Sequence, residues 1–259
     1  PQSTASAAAP AATPVPPLPD FSQFGAIHDE SLSSMRQTIA KHMARCWSEI
    51  PHVTQTHEAD VTDLLALREK FKGKYKKKKA KLTVTVLLMK AIANTLKEFP
   101  VFNATLDLKN EKIIYKDYCH LGVAVDTGTG LLVPVVRDVD KLSYVDLCLA
   151  VDDVATRARD RKVSRDDLSG ASFTISNLGG FGVGAFTPIV NAPEVAILGV
   201  GGTQERPVFE GKKVVARKFM SLSLSYDHRV IDGAQGARFI QHLASELSDG
   251  VATIEKELS

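Results

Sequence analysis

Between Phe219 and Leu247 the apolar residues change their period without a gap in the chain. Phe219-Met220-Ser221-Leu222-Ser223-Leu224-Ser225-Tyr226 alternates apolar and small polar side chains, the pattern of a strand with one buried face. Ala237, Ile240, Leu243 and Leu247 then recur at helical spacing. A strand that runs straight into an amphipathic helix calls for a layered fold in which both bury one core. The junction, Asp227-His228-Arg229-Val230-Ile231-Asp232-Gly233-Ala234, sets an imidazole where the strand runs out and a carboxylate at Asp232. A side chain at such a corner faces a cleft from a rigid support. A free imidazole titrates at about 6.5, near the pH at which a general base works well. A lone histidine beside a turn is more often structural, so His228 needs supporting residues elsewhere.

The rest of the pattern gives the neighbours. Ser31 to Ser34 offer caps for a helix with Met35, Ile39, Met43 and Trp47 on one face, stopped by Pro51. A strand follows over 52–61, then a helix opened by Thr62 or Asp63 with Leu64, Leu67 and Phe71 inward. A lysine-rich run from Lys72 to Lys81 precedes a helix over 83–99, which ends before Pro100. Short strands are expected at 104–108, 112–116, 120–126 and 131–137, the last two around the Gly128–Gly130 turn. Ser143 opens a helix with Leu147, Val151 and Val154 inward, and strands near 171–176, 194–200 and 214–226 lead to the last helix. Strands and helices mixed with hairpins predict an α/β two-layer sandwich with a mixed sheet, not a regular βαβ array.

Composition narrows the class. Hydrophobic residues make up 44% of the chain and charged ones 24%, with a formal net charge of +2, all ordinary for a soluble globular protein. The overall charge is nearly balanced and no aromatic stacking pattern accompanies the lysine run, which reads as a solvated helix end, so neither nucleic acid nor a membrane surface is expected as partner. No apolar run approaches the roughly 20 residues that span a bilayer, and no signal peptide is recognised. Cys46, Cys119 and Cys148 are scattered without metal-type spacing and are expected to be reduced and buried, with no metal site. Residues 1–20 hold half of the 12 prolines and read as an Ala/Pro-rich linker, leaving one domain over 21–259.

A second candidate group is Ser176, at the end of an apolar strand before Asn177-Leu178-Gly179-Gly180, where the backbone can turn sharply. Its hydroxyl either bonds the turn or faces a ligand. Gly179, Gly180, Gly182 and Gly184 suggest a dinucleotide loop only superficially, because Phe186-Thr187-Pro188 follows and blocks a helix there. A serine hydrolase would carry a Gly-x-Ser-x-Gly elbow, which is absent.

His228 to Gly233 resembles the His-x-x-x-Asp-Gly signature of the dihydrolipoamide acyltransferases, which share their fold with chloramphenicol acetyltransferase. Phe173 to Gly180 resembles that family's oxyanion-stabilising segment, and Pro188 to Gly199 the run that follows it. Met35 to Met43, with Ile50 to Thr54, resembles the start of its catalytic domain. The similarity runs from about Phe24 to the last residue and looks closest to the acetyltransferase branch of bacterial pyruvate dehydrogenase.

The resemblance implies a chloramphenicol-acetyltransferase-like fold and acetyl transfer between dihydrolipoamide and coenzyme A. His228 would be the general base, Ser176 the oxyanion donor, and Asp232 a brace for the histidine loop with Arg36 as its partner. Arg68 would meet coenzyme A phosphate, and Tyr226 a thiol-bearing substrate, unless that ring lies in the core. Coenzyme A enters as substrate, the lipoyl group rides on a domain outside this chain, and no metal is required. The partners implied are a homotrimer with its active site between subunits, and a larger hollow core joined through the C-terminal helix around Ile254 to Leu258. Lipoyl domains visit that core, while the dehydrogenase and dihydrolipoamide dehydrogenase components attach through domains outside this chain, in the bacterial cytoplasm. The alternatives are a non-catalytic assembly scaffold, which the presence of His228, Ser176 and Asp232 disfavours, and a succinyl or branched-chain transferase. An antibiotic acetyltransferase on the same fold would have little use for a proline-rich tether.

Overall fold

Ser33 caps the first helix, α1 (Ser34–Glu49), by accepting the Arg36 N–H at 3.2 Å, and the chain turns at Pro51 into β1 (His52–Asp60). The computed structural model describes residues 17–128 and 130–259, so most of the expected linker lies outside the described residues. Next come α2 (Thr62–Lys77), α3 (Val84–Glu98), and the hairpin β2 (Ala104–Asp107) with β3 (Lys112–Tyr115). β4 (Leu121–Val123), β5 (Val125–Asp126), β6 (Leu131–Leu132) and β7 (Val135–Val136) precede α4 (Tyr144–Arg159). The second half is β8 (Phe173–Asn177), β9 (Ala196–Glu210), β10 (Lys213–Asp227), α5 (Gly233–Ser248) and α6 (Val251–Leu258).

Six strands form one sheet in the order β1-β10-β9-β8-β4-β7. β1, β10 and β9 pair antiparallel, β9–β8 and β8–β4 pair parallel, and β7 returns antiparallel. The alternation seen in the sequence decides which face is buried. Leu121, Phe173, Ile175, Leu198, Leu222, Leu224 and Tyr226 point to one side and share a single core with residues of α2 to α6. Phe239 of α5 stacks on Phe102 at 4.1 Å between ring centroids, fixing α5 over the strands. The expected two-layer α/β sandwich with a mixed sheet is therefore what forms.

The opposite face carries small residues, among them Thr174, Ser176, Gly199, Ser223 and Ser225, and is covered by the irregular segment after β8. The Phe186 ring lies against Gly199, and the Phe186 N–H donates to Ser223 Oγ at 3.2 Å. Val190, Ile197 and Ile50 make a small second core there.

Two expectations change. β9 continues ten residues beyond 200, to Glu210, because its outer half has β10 as its one strand neighbour and shows no apolar alternation. α1 buries only Cys46 fully, and Trp47 is 65% exposed, its ring covered on one side by stacking on His52 at 5.3 Å between centroids. In α6, Ile254 and Leu258 are buried against the chain's own core, and Lys70 of α2 pairs with Glu255 at 2.6 Å.

Asp232 begins α5 with a capping box: it accepts the Gln235 N–H at 2.8 Å, and Gln235 accepts the Asp232 N–H at 3.0 Å. Asp232→Ala should therefore lower stability by about 1 kcal/mol in urea denaturation, while Asp232→Asn retains the cap. A Cβ at Gly201 would run into the Gly184 carbonyl oxygen. Gly201→Ala should cost about 1–3 kcal/mol in the same measurement, since backbone cannot swing aside as a side chain does.

Candidate active site

His228 stands at a corner built by backbone hydrogen bonds. The Asp227 N–H donates to Val195 O at 2.9 Å, and the His228 N–H donates to Pro51 O at 3.1 Å. Val230 and Ile231 both donate to the Asp227 carbonyl at 3.0 Å, closing a tight turn, and the buried Ile231 anchors it to the core. The Asp227 carboxylate is only 2% exposed and is held by the Arg229 guanidinium, Nε at 2.9 Å and Nη2 at 2.6 Å. Such a bidentate, charge-assisted pair fixes geometry as well as energy. The His228 side chain is exposed, and no neighbouring side chain bonds its ring nitrogens among the described residues.

The bracing expected of Asp232 and Arg36 falls to other residues. Asp232 is committed to the α5 cap, and Arg36, exposed in the first turn of α1, makes no ion pair with it among the described residues. The guanidinium that holds the corner belongs to Arg229, and the carboxylate to Asp227. The signal was present as charged residues on either side of His228, but an i,i+2 pair has no periodic signature. Tyr226 is fully buried, on the same strand face as Leu222 and Leu224, with its ring 6.0 Å from that of His228. Burial raises the pKa of its phenol, and the hydroxyl has no partner. The expected contact between Tyr226 and substrate is thus not available within one chain, and the core position is the one it takes.

Ser176 lies half-buried on the face opposite Ile175, and its hydroxyl has no partner among the described residues. Asn177 makes the turn beyond it, accepting the Gly179 N–H at 2.9 Å and donating to Thr85 Oγ1 at 3.2 Å. Asn177 also lines a cavity of about 450 Å³ with Lys81, Thr83, Asp126, Asp152 and Arg159. Arg68 does not stand free in it. Its Nε donates to Leu82 O at 3.2 Å and its Nη1 meets Glu69 at 3.0 Å, so it holds the chain between Lys81 and Thr83.

Strand register measures how far apart His228 and the Ser176 hydroxyl lie. Ser176 is opposite Gly199, and Gly199 opposite Ser223, so one row crosses β8, β9 and β10. His228 follows Ser223 along β10 by about 17 Å, at about 3.4 Å per residue, and that row spans two strand gaps, about 10 Å. No carbon within about 3.5 Å of both groups exists in one chain.

A second cavity of about 470 Å³ adjoins the corner, lined in part by Arg45, Glu49, Leu106, Glu194, Asp227 and Arg229. Glu194 is a buried carboxyl that sequence reasoning passed over. Among the described residues, no group of His, Cys, Asp or Glu is placed to hold a metal ion, and no helix is long and apolar enough to cross a membrane.

Comparison with known proteins places the chain. Residues 25–253 match the family model for the 2-oxoacid dehydrogenases acyltransferase (catalytic domain). The chain is 48% identical over 237 residues to the dihydrolipoyllysine-residue acetyltransferase component of the pyruvate dehydrogenase complex of Pseudomonas aeruginosa, covering 91% of this chain and 43% of that protein. It is 48% identical over 230 residues to the corresponding Azotobacter vinelandii component, covering 89% and 36%. It thus spans less than half the length of these curated relatives. A solved structure of Azotobacter vinelandii dihydrolipoamide acetyltransferase, studied for the roles of a serine, a histidine and an asparagine in catalysis, superposes with a TM-score of 0.89 at 48% identity, covering 93% of this chain and 99% of that one. The cubic core of the pyruvate dehydrogenase multienzyme complex gives the same TM-score, identity and coverage. With its fold, its His228 corner and its matched length together, this chain belongs to the 2-oxoacid dehydrogenase acyltransferase family, as a catalytic domain.

Proposed function

We propose that this chain transfers an acetyl group from dihydrolipoamide to coenzyme A at a site completed by two subunits, His228 from one and Ser176 from the next. The observation that carries this reading is the separation of two otherwise unengaged groups on one rigid sheet. The interval from Ser176 to His228, and from His228 to Asp232, equals that between the serine, histidine and asparagine studied in the Azotobacter relative. Asp232 replaces the asparagine, and either side chain caps a helix well.

The chemistry follows from the two groups. A thiol near pKa 8.5 is mostly protonated at neutral pH, and its thiolate is the nucleophile. The imidazole is the weaker base by about two pK units, a mismatch of about 2.7 kcal/mol, which attack concerted with proton transfer avoids meeting in full. His228 takes the proton of the coenzyme A thiol as sulfur bonds to the thioester carbon. The charge then sits on the carbonyl oxygen, where the Ser176 hydroxyl donates to it, a contribution of about 2.7–4 kcal/mol for one such donor. As the intermediate collapses, the bond to the dihydrolipoamide sulfur breaks and the imidazolium returns its proton to that sulfur. Lys81 and Arg159, in the cavity beside Ser176, suit the phosphates of coenzyme A, with Arg68 shaping that wall from behind.

In this reading the chain is the core-forming part of a longer bacterial cytoplasmic protein. Its trimers build a hollow assembly, residues 1–20 tether it, and lipoyl domains deliver the acyl group. His228→Ala should lower acetyl transfer at least about a hundredfold without dissociating the assembly. Ser176→Ala should lower kcat with little change in KM. Mixing the two inactive variants before assembly should restore about a quarter of the activity, the share of interfaces that pair an intact histidine with an intact serine. Absence of any recovery in mixed assemblies would contradict a shared site.

A further inference from the structure

Beneath the His228 corner lies a buried carboxyl to which the transfer chemistry assigns no task. Glu194 is 3% exposed, in the segment that enters β9. Its Oε1 accepts from Asn191 Nδ2 at 2.9 Å. Asn191 Oδ1 in turn accepts from His42 Nε2 of α1 at 2.8 Å, and the Ala192 N–H donates to Cys46 Sγ at 3.4 Å. The Val190 N–H donates to His52 Nε2 at 3.0 Å, which leaves His52 Nδ1 to donate to Ile50 O at 2.7 Å. The segment therefore joins the end of α1 to the start of β1, whose Pro51 carbonyl receives the His228 N–H.

Glu194 has two further connections. The next residue, Val195, offers the carbonyl that receives the Asp227 N–H. On its other side is Thr174 of β8, two residues before Ser176 and on the same face. Thr174 Oγ1 and Glu194 Oε2 are both buried, Thr174 acts on the Glu194 carboxyl, and neither atom completes a well-formed hydrogen bond among the described residues. A proton on Glu194 lets Oε2 donate to the threonine oxygen, whereas an ionised Glu194 accepts from the threonine hydroxyl and keeps a buried charge.

We propose that Glu194 is a positioning residue, whose carboxyl braces the His228 corner through Val195 and the Ser176 strand through Thr174. The proposal rests on the transferase reading, and it makes the brace sensitive to charge. The groups facing Glu194 or its surroundings are His42, Arg45 and Glu49 from α1, Lys116 between β3 and β4, and Asp227 and Arg229 at the corner. Arg229 is engaged by Asp227, and Lys116 makes no ion pair with Glu194 among the described residues. Burial accordingly pushes the Glu194 carboxyl up to about 7, with Thr174, Asn191 and Lys116 opposing it only in part. A carboxyl raised in the fold is held protonated there while the unfolded chain has already ionised. Its ionisation therefore weakens the native structure as pH rises from the ordinary carboxylate range to about 7.

The test uses the assembled protein, Glu194→Gln and Glu194→Leu, with amide hydrogen exchange of the Asp227–His228 peptide and kcat measured between pH 6 and pH 8. In the wild type, protection of these amides, corrected for intrinsic exchange, should fall about tenfold across this range as the brace ionises. In Glu194→Gln, a neutral isostere able to donate to Thr174, protection should stay flat and kcat at pH 8 should equal or exceed wild type with KM unchanged. Glu194→Leu should lose protection and about tenfold in kcat throughout. Identical pH dependence of protection in wild type and Glu194→Gln would overturn the proposal, even if the leucine variant fails to fold. Exchange as expected without any acetyl transfer would refute the transferase reading and leave the brace in place.

Discussion

The hydrogen-bonded register of β8, β9 and β10 is the constraint on which the proposed chemistry depends. It fixes Ser176 opposite Gly199 and Ser223, and it carries His228 five residues further along a strand that cannot shorten. Side-chain rotation moves an imidazole by a few ångströms, far short of a gap of about 17 Å along the strand. The same sheet that holds each group rigid thus prevents them from meeting inside one chain. In the proposed reading a second copy resolves the conflict, and the exposed surface is consistent with one. Phe21, Phe24, Ile27 and Leu32 before α1, with Trp47 on it, are exposed large apolar residues of the kind that mark an interface.

The charged groups around the corner divide its support. Asp227 and Arg229 hold the turn by a bidentate pair, while Asp232 starts the helix that follows it. The Pro51 carbonyl fastens the turn to the start of β1, and the Val195 carbonyl to the start of β9. None of these contacts occupies the His228 ring. In the proposed reading His228 is a base that must accept and return a proton; such a group is best left unpaired by the frame that aims it, and here the frame engages its backbone instead.

Much of this was legible in the sequence, for physical reasons. Period-two alternation identified the inner half of β10, because one face of that strand is fully buried. Serine and threonine caps located α1, α3 and α4 to within a residue or two. The outer half of β9 was not legible, since residues such as Gln204, Glu205 and Arg206 have β10 as their one strand neighbour and need no buried face. Trp47 misled, because an amphipathic pattern does not say whether its partner is the same chain or another. Arg36 was placed opposite Asp232 on the argument that a carboxylate needs a cation; the helix N-terminus supplied backbone donors in its place. Glu194 left no trace beyond a lone acid in an apolar run, and only its neighbours in space reveal what it touches.

The most direct test of a shared site measures proximity between chains. Assemblies would be formed from equal amounts of Ser176→Cys and His228→Cys chains and treated with a short bifunctional thiol reagent. Cys46, Cys119 and Cys148 are buried and therefore shielded. Cross-linked pairs joining one chain of each kind, and absent when either variant is assembled alone, are the expected result. Failure to join unlike chains in an intact assembly would contradict the account.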